Sequence, residues 1–146
     1  MAWVVDTCIL LDILENDPEF GLASARCLKA RLNEGLLVCP VTSLELTPAF
    51  LGDHGAQRQF LAQCGVSEEA SFTSADVRHG YAPWNEYIAA KRQRKSRSLP
   101  KRPIADMMIG AFANRFDGLI TRKGSNFRPW FPHLVIVDPL AEPWPA

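Results

Sequence analysis

The sequence lacks the features that mark several common protein classes. No apolar run approaches the roughly 20 residues that a membrane-spanning helix needs, and segment 1–6 lacks the basic stretch of a secretory signal. The absence of a D-x-D motif at a strand end and of a glycine-rich phosphate loop argues against a phosphatase. We therefore expect a cytoplasmic protein that does not enter a membrane. The few cysteines form no C-x-x-C pair, so we expect them reduced and mostly buried: Cys8, Cys27, Cys39 and Cys64.

The net charge of the chain is zero, but the charged residues are unevenly distributed along it. The chain carries 16 basic and 16 acidic residues. Seven of the basic residues lie in segment 91–102, where no acidic residue interrupts them. The rest of the chain is therefore acidic, and one short segment is strongly cationic, a pattern that indicates a polyanionic partner.

The pattern of apolar residues predicts an α/β sandwich with parallel strands. The 146 residues, 47% of them hydrophobic, suit a single domain over 1–146 with a proline-rich tail at 139–146. Strands separated by helices favour parallel pairing. Strands are predicted at 3–5, 36–39, 118–121 and 134–137, and helices at 7–15, 18–32, from 42 onward, at 56–64, at 74–94 with a potential break at Pro83, and at 103–115.

Three carboxylates fall where strands or loops lead into helices: Asp6, Glu45 and Asp106. Ligands of open α/β sheets bind beyond the carboxyl ends of the strands, and oxygen ligands of this type suit Mg²⁺. Each acid also has a purely structural explanation. Asp6 can cap the next helix, Thr42-x-x-Glu45 matches a capping box, and Asp106 can complement a helix dipole. Gly110, on the same helical face as Asp106, predicts a close approach of that helix to other backbone.

Several segments resemble the motifs of PIN-domain nucleases, in the same order along the chain. Segment 4–12 (VVDTCILLD) resembles the opening motif, with its metal-binding Asp. Segment 42–46 (TSLEL) resembles the second motif, with its metal-binding Glu. Segment 103–113 (PIADMMIGAFA) resembles the third, which supplies another Asp, and segments 119–132 and 134–139 resemble the closing strand, turn and last strand.

The size of the chain is similar to that of the VapC toxins within this family. The resemblance implies a PIN-like three-layer α/β/α sandwich with a central, mostly parallel sheet. It implies an endoribonuclease that cleaves RNA phosphodiesters with a water activated by Mg²⁺ or Mn²⁺. Asp6, Glu45 and Asp106 would bind the metal, and Thr121 would orient a water, unless its hydroxyl only bonds to backbone. The resemblance also implies a cognate VapB-like antitoxin and a homodimer.

One position departs from the family pattern. The residue after Thr121-Arg122 is usually acidic or Asn, and here it is Lys123. Asn126 is the nearest oxygen-bearing substitute. A protonated lysine cannot ligate a cation, although it can contact a phosphate. The departure keeps a second hypothesis open, in which the chain is a catalytically weakened module that binds RNA or an antitoxin.

The cationic segment is the predicted RNA-binding region. Its clustered positive charges can bind a polyphosphate chain through electrostatic attraction that does not depend on the nucleotide sequence. The alternatives are a solvated loop or a docking segment for an antitoxin. Of the aromatic residues Tyr81, Trp84 and Tyr87, we expect at least two to pack in the core, and an exposed one can stack on a base. The predicted RNA-binding residues are Arg92, Arg94, Lys95, Arg97, Lys101, Arg102 and Arg122.

Overall fold

The computed structural model describes residues 2–94 and 103–141, and these residues form an α/β structure. The strands are β1 (Trp3–Val5), β2 (Leu36–Leu37), β3 (Val66–Ser67), β4 (Gly118–Ile120) and β5 (Ile136–Val137). The helices are α1 (Thr7–Leu14), α2 (Gly21–Ala30), α3 (Pro40–Leu46), α4 (His54–Gln63), α5 (Ser74–Arg94) and α6 (Pro103–Ala113). Short 3-10 helices lie at Leu32–Glu34, Thr47–Phe50 and Gly124–Asn126.

The strands form one sheet in the order β3-β2-β1-β4-β5, and every pair is parallel. β1 lies in the centre, with β2 on one side and β4 on the other. The chain thus builds outward from β1 to β3 and then returns to the opposite side of β1. This reversal of strand order lies between β1 and β4, the kind of place where open α/β sheets bind ligands.

Helices cover both faces of the sheet, which confirms the predicted sandwich. Successive strand residues point to opposite faces. Val5 and Ile120 pack with residues of α1, α2 and α4, including Ile9 and Leu28. The other face packs against α6, and its cluster includes Val4, Leu119, Ile109 and Phe112.

The structure corrects the predicted elements in several places: α2 is Gly21–Ala30 rather than 18–32, β2 ends at Leu37, and β5 begins at Ile136. β3 was not predicted, because it contains one buried apolar residue, Val66, followed by the exposed Ser67, and so shows no apolar run. α3 begins at Pro40 rather than Thr42. α5 continues through Pro83 as one helix of 21 residues, although proline cannot donate a hydrogen bond to the preceding turn. The described part of the chain contains no helix long and apolar enough to cross a membrane.

The cysteines behave as predicted, since all four carry free thiols and only Cys64 is more than marginally accessible. Burial raises the pKa of Cys8 to about 12 and that of Cys39 to about 11. A thiol with such a pKa is almost entirely protonated at neutral pH and is a poor nucleophile. These cysteines therefore belong to the core.

Candidate metal and RNA site

Asp6 lies at the carboxyl end of the central strand, where the strand order reverses. It follows β1 directly and is the N-cap residue of α1. Its exposed fraction is 5%. Thr121 follows β4, and because Val5 pairs with Ile120 in the parallel register, Asp6 and Thr121 lie side by side. The capping role proposed as an alternative for Asp6 is thus real, and it coexists with a position at the sheet edge.

Hydrogen bonds hold both oxygens of the Asp6 carboxylate. Oδ1 accepts from the backbone N–H of Thr7 at 2.7 Å. Oδ2 accepts from the Thr121 hydroxyl at 2.7 Å and from the Cys8 thiol at 3.5 Å. Burial raises the pKa of Asp6, these hydrogen bonds oppose the shift, and the negative charge of Glu45 adds to it. The site therefore holds an acid whose ionised form is poorly solvated and close to a second acid.

Glu45 meets Asp6 through Thr7. The Thr7 hydroxyl oxygen lies 2.7 Å from Glu45 Oε1 and 3.0 Å from Thr42 Oγ1. An ionised carboxylate can only accept, so Thr7 donates to Glu45. One residue thus contacts Asp6 through its backbone and Glu45 through its side chain. The predicted capping box is wrong, because Thr42 lies inside α3, whose N-cap is Cys39 and forms no side-chain cap.

Asp106 does not complete a cluster with the other two acids. It lies in the first turn of α6, half-buried, and α6 packs against α3, which carries Glu45. Among residues 2–94 and 103–141, no three His, Cys, Asp or Glu side chains are close enough together to hold a metal ion. The structure brings Asp6 and Glu45 together, and the role of Asp106 as a metal ligand stays a prediction. Gly110 faces the ring of Phe131 rather than backbone, so the predicted close approach involves a side chain.

Thr121 connects the site to Lys123, the residue that stands where the family pattern has an acidic residue or Asn. Its hydroxyl donates to Asp6 and accepts from the backbone N–H of Lys123 at 3.0 Å. Lys123 is exposed, and Asn126 is half-buried in the 3-10 helix that follows. The predicted water-orienting role of Thr121 stays a prediction.

Arg122 forms a contact that the sequence did not reveal. Its Nε lies 2.6 Å from Asp12 Oδ2 and its Nη2 lies 3.2 Å from Asp12 Oδ1. The guanidinium also lies 4.3 Å from the centre of the Phe20 ring. Asp12 is only 4% exposed, so this ion pair is largely buried. The charge of Arg122 is thus paired with Asp12 within the protein, and its RNA-binding role stays a prediction. Only the helical position of Asp12 was visible in the sequence.

The predicted RNA-binding segment is described in part. Lys91 and Arg92 are exposed near the end of α5, and Arg94 is the last residue of that helix. Lys95, Arg97, Lys101 and Arg102 lie outside the described residues. The exposed positive charge at this end of α5 agrees with the prediction without testing it.

The aromatic residues of α5 divide as predicted. Tyr87 is buried and stacks on Trp84, with 5.6 Å between ring centres, and Trp130 contacts Tyr87 edge-on. Tyr81 is 60% exposed. It borders an apolar groove of about 320 Å³ between α5 and α6, whose lining includes Val77 and Ile104. Two aromatics therefore pack inside, and the third lies at an exposed apolar surface.

Comparison with known proteins identifies the fold. No family model and no curated protein matches the sequence. The crystal structure of VapBC2 from Rickettsia felis bound to a DNA fragment from their promoter contains a chain with a similar fold, at a TM-score of 0.65 and 12% sequence identity. The match covers 94% of this chain and 98% of that chain. The likeness at this level of identity concerns the fold, and it supports the VapC-like fold that the motifs imply.

Proposed function

We propose that the protein is a VapC-like, metal-dependent endoribonuclease. The observation that carries the proposal is the contact of Asp6 and Glu45 with the same residue, Thr7, at the carboxyl edge of the sheet. A buried aspartate beside a second carboxylate has little value for stability, because burial and the charge of Glu45 both disfavour the ionised form of Asp6. Such pairs are typical of sites that bind cations or carry out acid–base chemistry.

The donor groups present fit a magnesium or manganese ion. Mg²⁺ usually keeps several of its waters and binds one or two carboxylates together with substrate phosphates, so Asp6 and Glu45 suffice as protein ligands. We propose Asp106 as a third ligand because it lies in the first turn of α6, which packs against α3, the helix that carries Glu45. The cation would lower the pKa of a water and stabilise charge on a phosphodiester.

Residues of the chain would hold the other parts of the reaction in place. Thr7 positions Glu45, and Thr121 holds Asp6 from the opposite side. The cationic segment 91–102, together with Arg122, would attract the RNA backbone without regard to sequence.

RNA cleavage by matched variants tests this function. Labelled single-stranded RNA is incubated in Mg²⁺, in Mn²⁺ and in EDTA with each of four proteins: wild type, Asp6→Asn, Glu45→Gln and Asp106→Asn. Glu69→Gln is the control, because Glu69 is exposed and its charge lies outside the site. We expect cleavage by wild type and the control in either metal, and a loss of at least about 100-fold in the Asp6 and Glu45 variants. Equal cleavage by all the variants would exclude this active site.

A second candidate function is a module that binds RNA or an antitoxin without turnover. Two observations favour it. The described residues contain no three His, Cys, Asp or Glu side chains close enough together to hold a metal ion, and the exposed Lys123 stands where the family pattern has an acidic residue or Asn. Calorimetric titration with Mn²⁺ separates the two candidates. No binding at millimolar metal supports the binding module, whereas binding by wild type and its loss in Asp6→Asn support the nuclease.

We also propose a cytoplasmic protein with two protein partners, a VapB-like antitoxin and a second copy of the chain. The apolar surface around Tyr81, Val77 and Ile104 supports this, since apolar patches of this kind are commonly covered by a partner. Light scattering after size exclusion measures the mass. We expect a dimer for wild type and a monomer for Tyr81→Lys, whereas a monomeric wild type would contradict the homodimer.

A further inference from the structure

The backbone of Lys123 is fixed next to the carboxylate pair. Its N–H donates to Thr121 Oγ1, and the Thr121 hydroxyl donates to Asp6 Oδ2. The combined length of these two bonds places the Lys123 nitrogen within about 6 Å of the Asp6 carboxylate. The carbonyl of Lys123 accepts from the N–H of Asn126 at 2.9 Å. Both backbone polar groups of Lys123 are therefore held in place.

The contacts of Arg122 restrain the same turn from the other side. The bidentate pair with Asp12 and the contact with Phe20 attach the turn to α1 and to the segment that follows α1. The side chain of Lys123 thus projects from a well-anchored backbone, so its ammonium can be presented with little loss of backbone freedom on binding.

The side chain of Lys123 is exposed, and within the described residues it takes part in no ion pair. Arg122 pairs with Asp12, and Arg115 pairs with Asp76. In the part of the chain that the structure describes, no carboxylate forms an ion pair with Lys123, and the hydrogen bonds of Asp6 come from Thr7, Cys8 and Thr121. The lysine therefore does not neutralise Asp6.

A cation in this place suits an RNA phosphate. Two carboxylates repel an approaching phosphodiester, and a lysine ammonium carried on a backbone within about 6 Å of Asp6 offsets that repulsion as a point charge. Lysine cannot replace a carboxylate as a metal ligand, so its use lies with the substrate. We propose that Lys123 binds a backbone phosphate of the RNA beside the Asp6–Glu45 pair. This inference rests on the proposed function, and it names a residue that contacts the substrate of that same site.

The test measures RNA binding without turnover. Fluorescence anisotropy of a labelled single-stranded RNA is recorded in EDTA over a series of salt concentrations for wild type, Lys123→Met and Lys123→Arg. Lys29→Met is the matched control, because Lys29 is an exposed lysine on α2. Thermal unfolding of each variant confirms that it folds.

We expect Lys123→Met to bind RNA roughly three- to tenfold more weakly at low salt and to lower the salt slope of log K by about 0.7, the value for one single-strand phosphate contact. Lys123→Arg should restore both, and Lys29→Met should resemble wild type. A Lys123→Met slope equal to that of Lys29→Met would overturn the inference and leave the nuclease proposal standing. Absence of RNA binding by wild type in EDTA would overturn the inference, and cleavage of RNA in Mn²⁺ would still decide the proposed function. Loss of cleavage in Asp6→Asn is a separate result that concerns only the proposed function.

Discussion

The hydroxyl of Thr7 is the group that we expect to hold Glu45 in the site, and Thr7→Val removes it while retaining the shape of the side chain. The backbone N–H that donates to Asp6 remains. A hydrogen bond to a charged group contributes about 1.5–3 kcal/mol. Glu45 is half-buried and regains some hydration, while the fully buried Thr42 hydroxyl loses a partner. We therefore expect the free energy of unfolding to fall by about 2 kcal/mol.

The functional consequence of Thr7→Val should exceed the structural one. Loss of a group that orients a metal ligand typically lowers metal affinity by about 10- to 100-fold. Urea unfolding with and without Mn²⁺ measures this, because at saturating metal a tenfold weaker affinity reduces the metal-dependent gain in stability by about 1.4 kcal/mol. Thr42→Val is the control, since it removes the neighbouring hydroxyl but leaves the Thr7 bond to Glu45.

The comparison between these variants decides the role of Thr7. We expect both to lose stability, Thr42→Val to keep nearly wild-type affinity for Mn²⁺, and Thr7→Ser to behave like wild type. If Thr7→Val bound Mn²⁺ as tightly as wild type, the positioning of Glu45 by Thr7 would be refuted.

Other predictions follow from burial and packing. Asp12→Asn should lower the free energy of unfolding by about 2 kcal/mol, because it breaks a charge pair with Arg122, and a double-mutant cycle with Arg122→Met measures the coupling. Because burial raises the pKa of Asp6 above its ordinary value of 3.8, the native state binds the proton more tightly. Stability should therefore fall as pH rises from that value through the native pKa, by up to about 1.4 kcal/mol per pH unit. Asp6→Asn should lack this fall in urea titrations and be more stable than wild type at neutral pH; an unchanged pH profile would contradict the assignment. Gly110→Ala should destabilise the protein by about 1–3 kcal/mol in the same titrations, since the new Cβ meets the Phe131 ring. A stabilised Gly110→Ala variant would show that the ring moves aside easily.

The sequence allowed prediction of those features that local patterns determine. The apolar run before Asp6 and the helical spacing after it identified β1, α1 and the junction between them. Because parallel strands end at the same edge of a sheet, the position of Asp6 followed from the fold class alone. The expectation that at least two of Tyr81, Trp84 and Tyr87 pack in the core is also met, by Trp84 and Tyr87.

Features that depend on contacts between distant residues could not be predicted. The capping-box spacing around Glu45 was misleading. The helix begins at Pro40, before Thr42, and the carboxylate of Glu45 accepts a hydrogen bond from Thr7, 38 positions away in the chain. The burial of Asp12 could not be predicted from the sequence, since its pairing with Arg122 depends on the position of β4 beside β1. β3 forms because it pairs with β2, and a strand of only two residues shows no alternation of apolar and polar residues in the sequence.

The central claim is that the Asp6–Glu45 pair supports metal-dependent cleavage of RNA. The most direct measurement is the initial rate of cleavage of a labelled single-stranded RNA by wild type, Asp6→Asn and Glu45→Gln, each in Mn²⁺ and in EDTA. We expect cleavage by wild type in Mn²⁺, none in EDTA, and rates lower by at least about 100-fold in both variants. Cleavage that persists in EDTA, or that is equal in the three proteins, would contradict it.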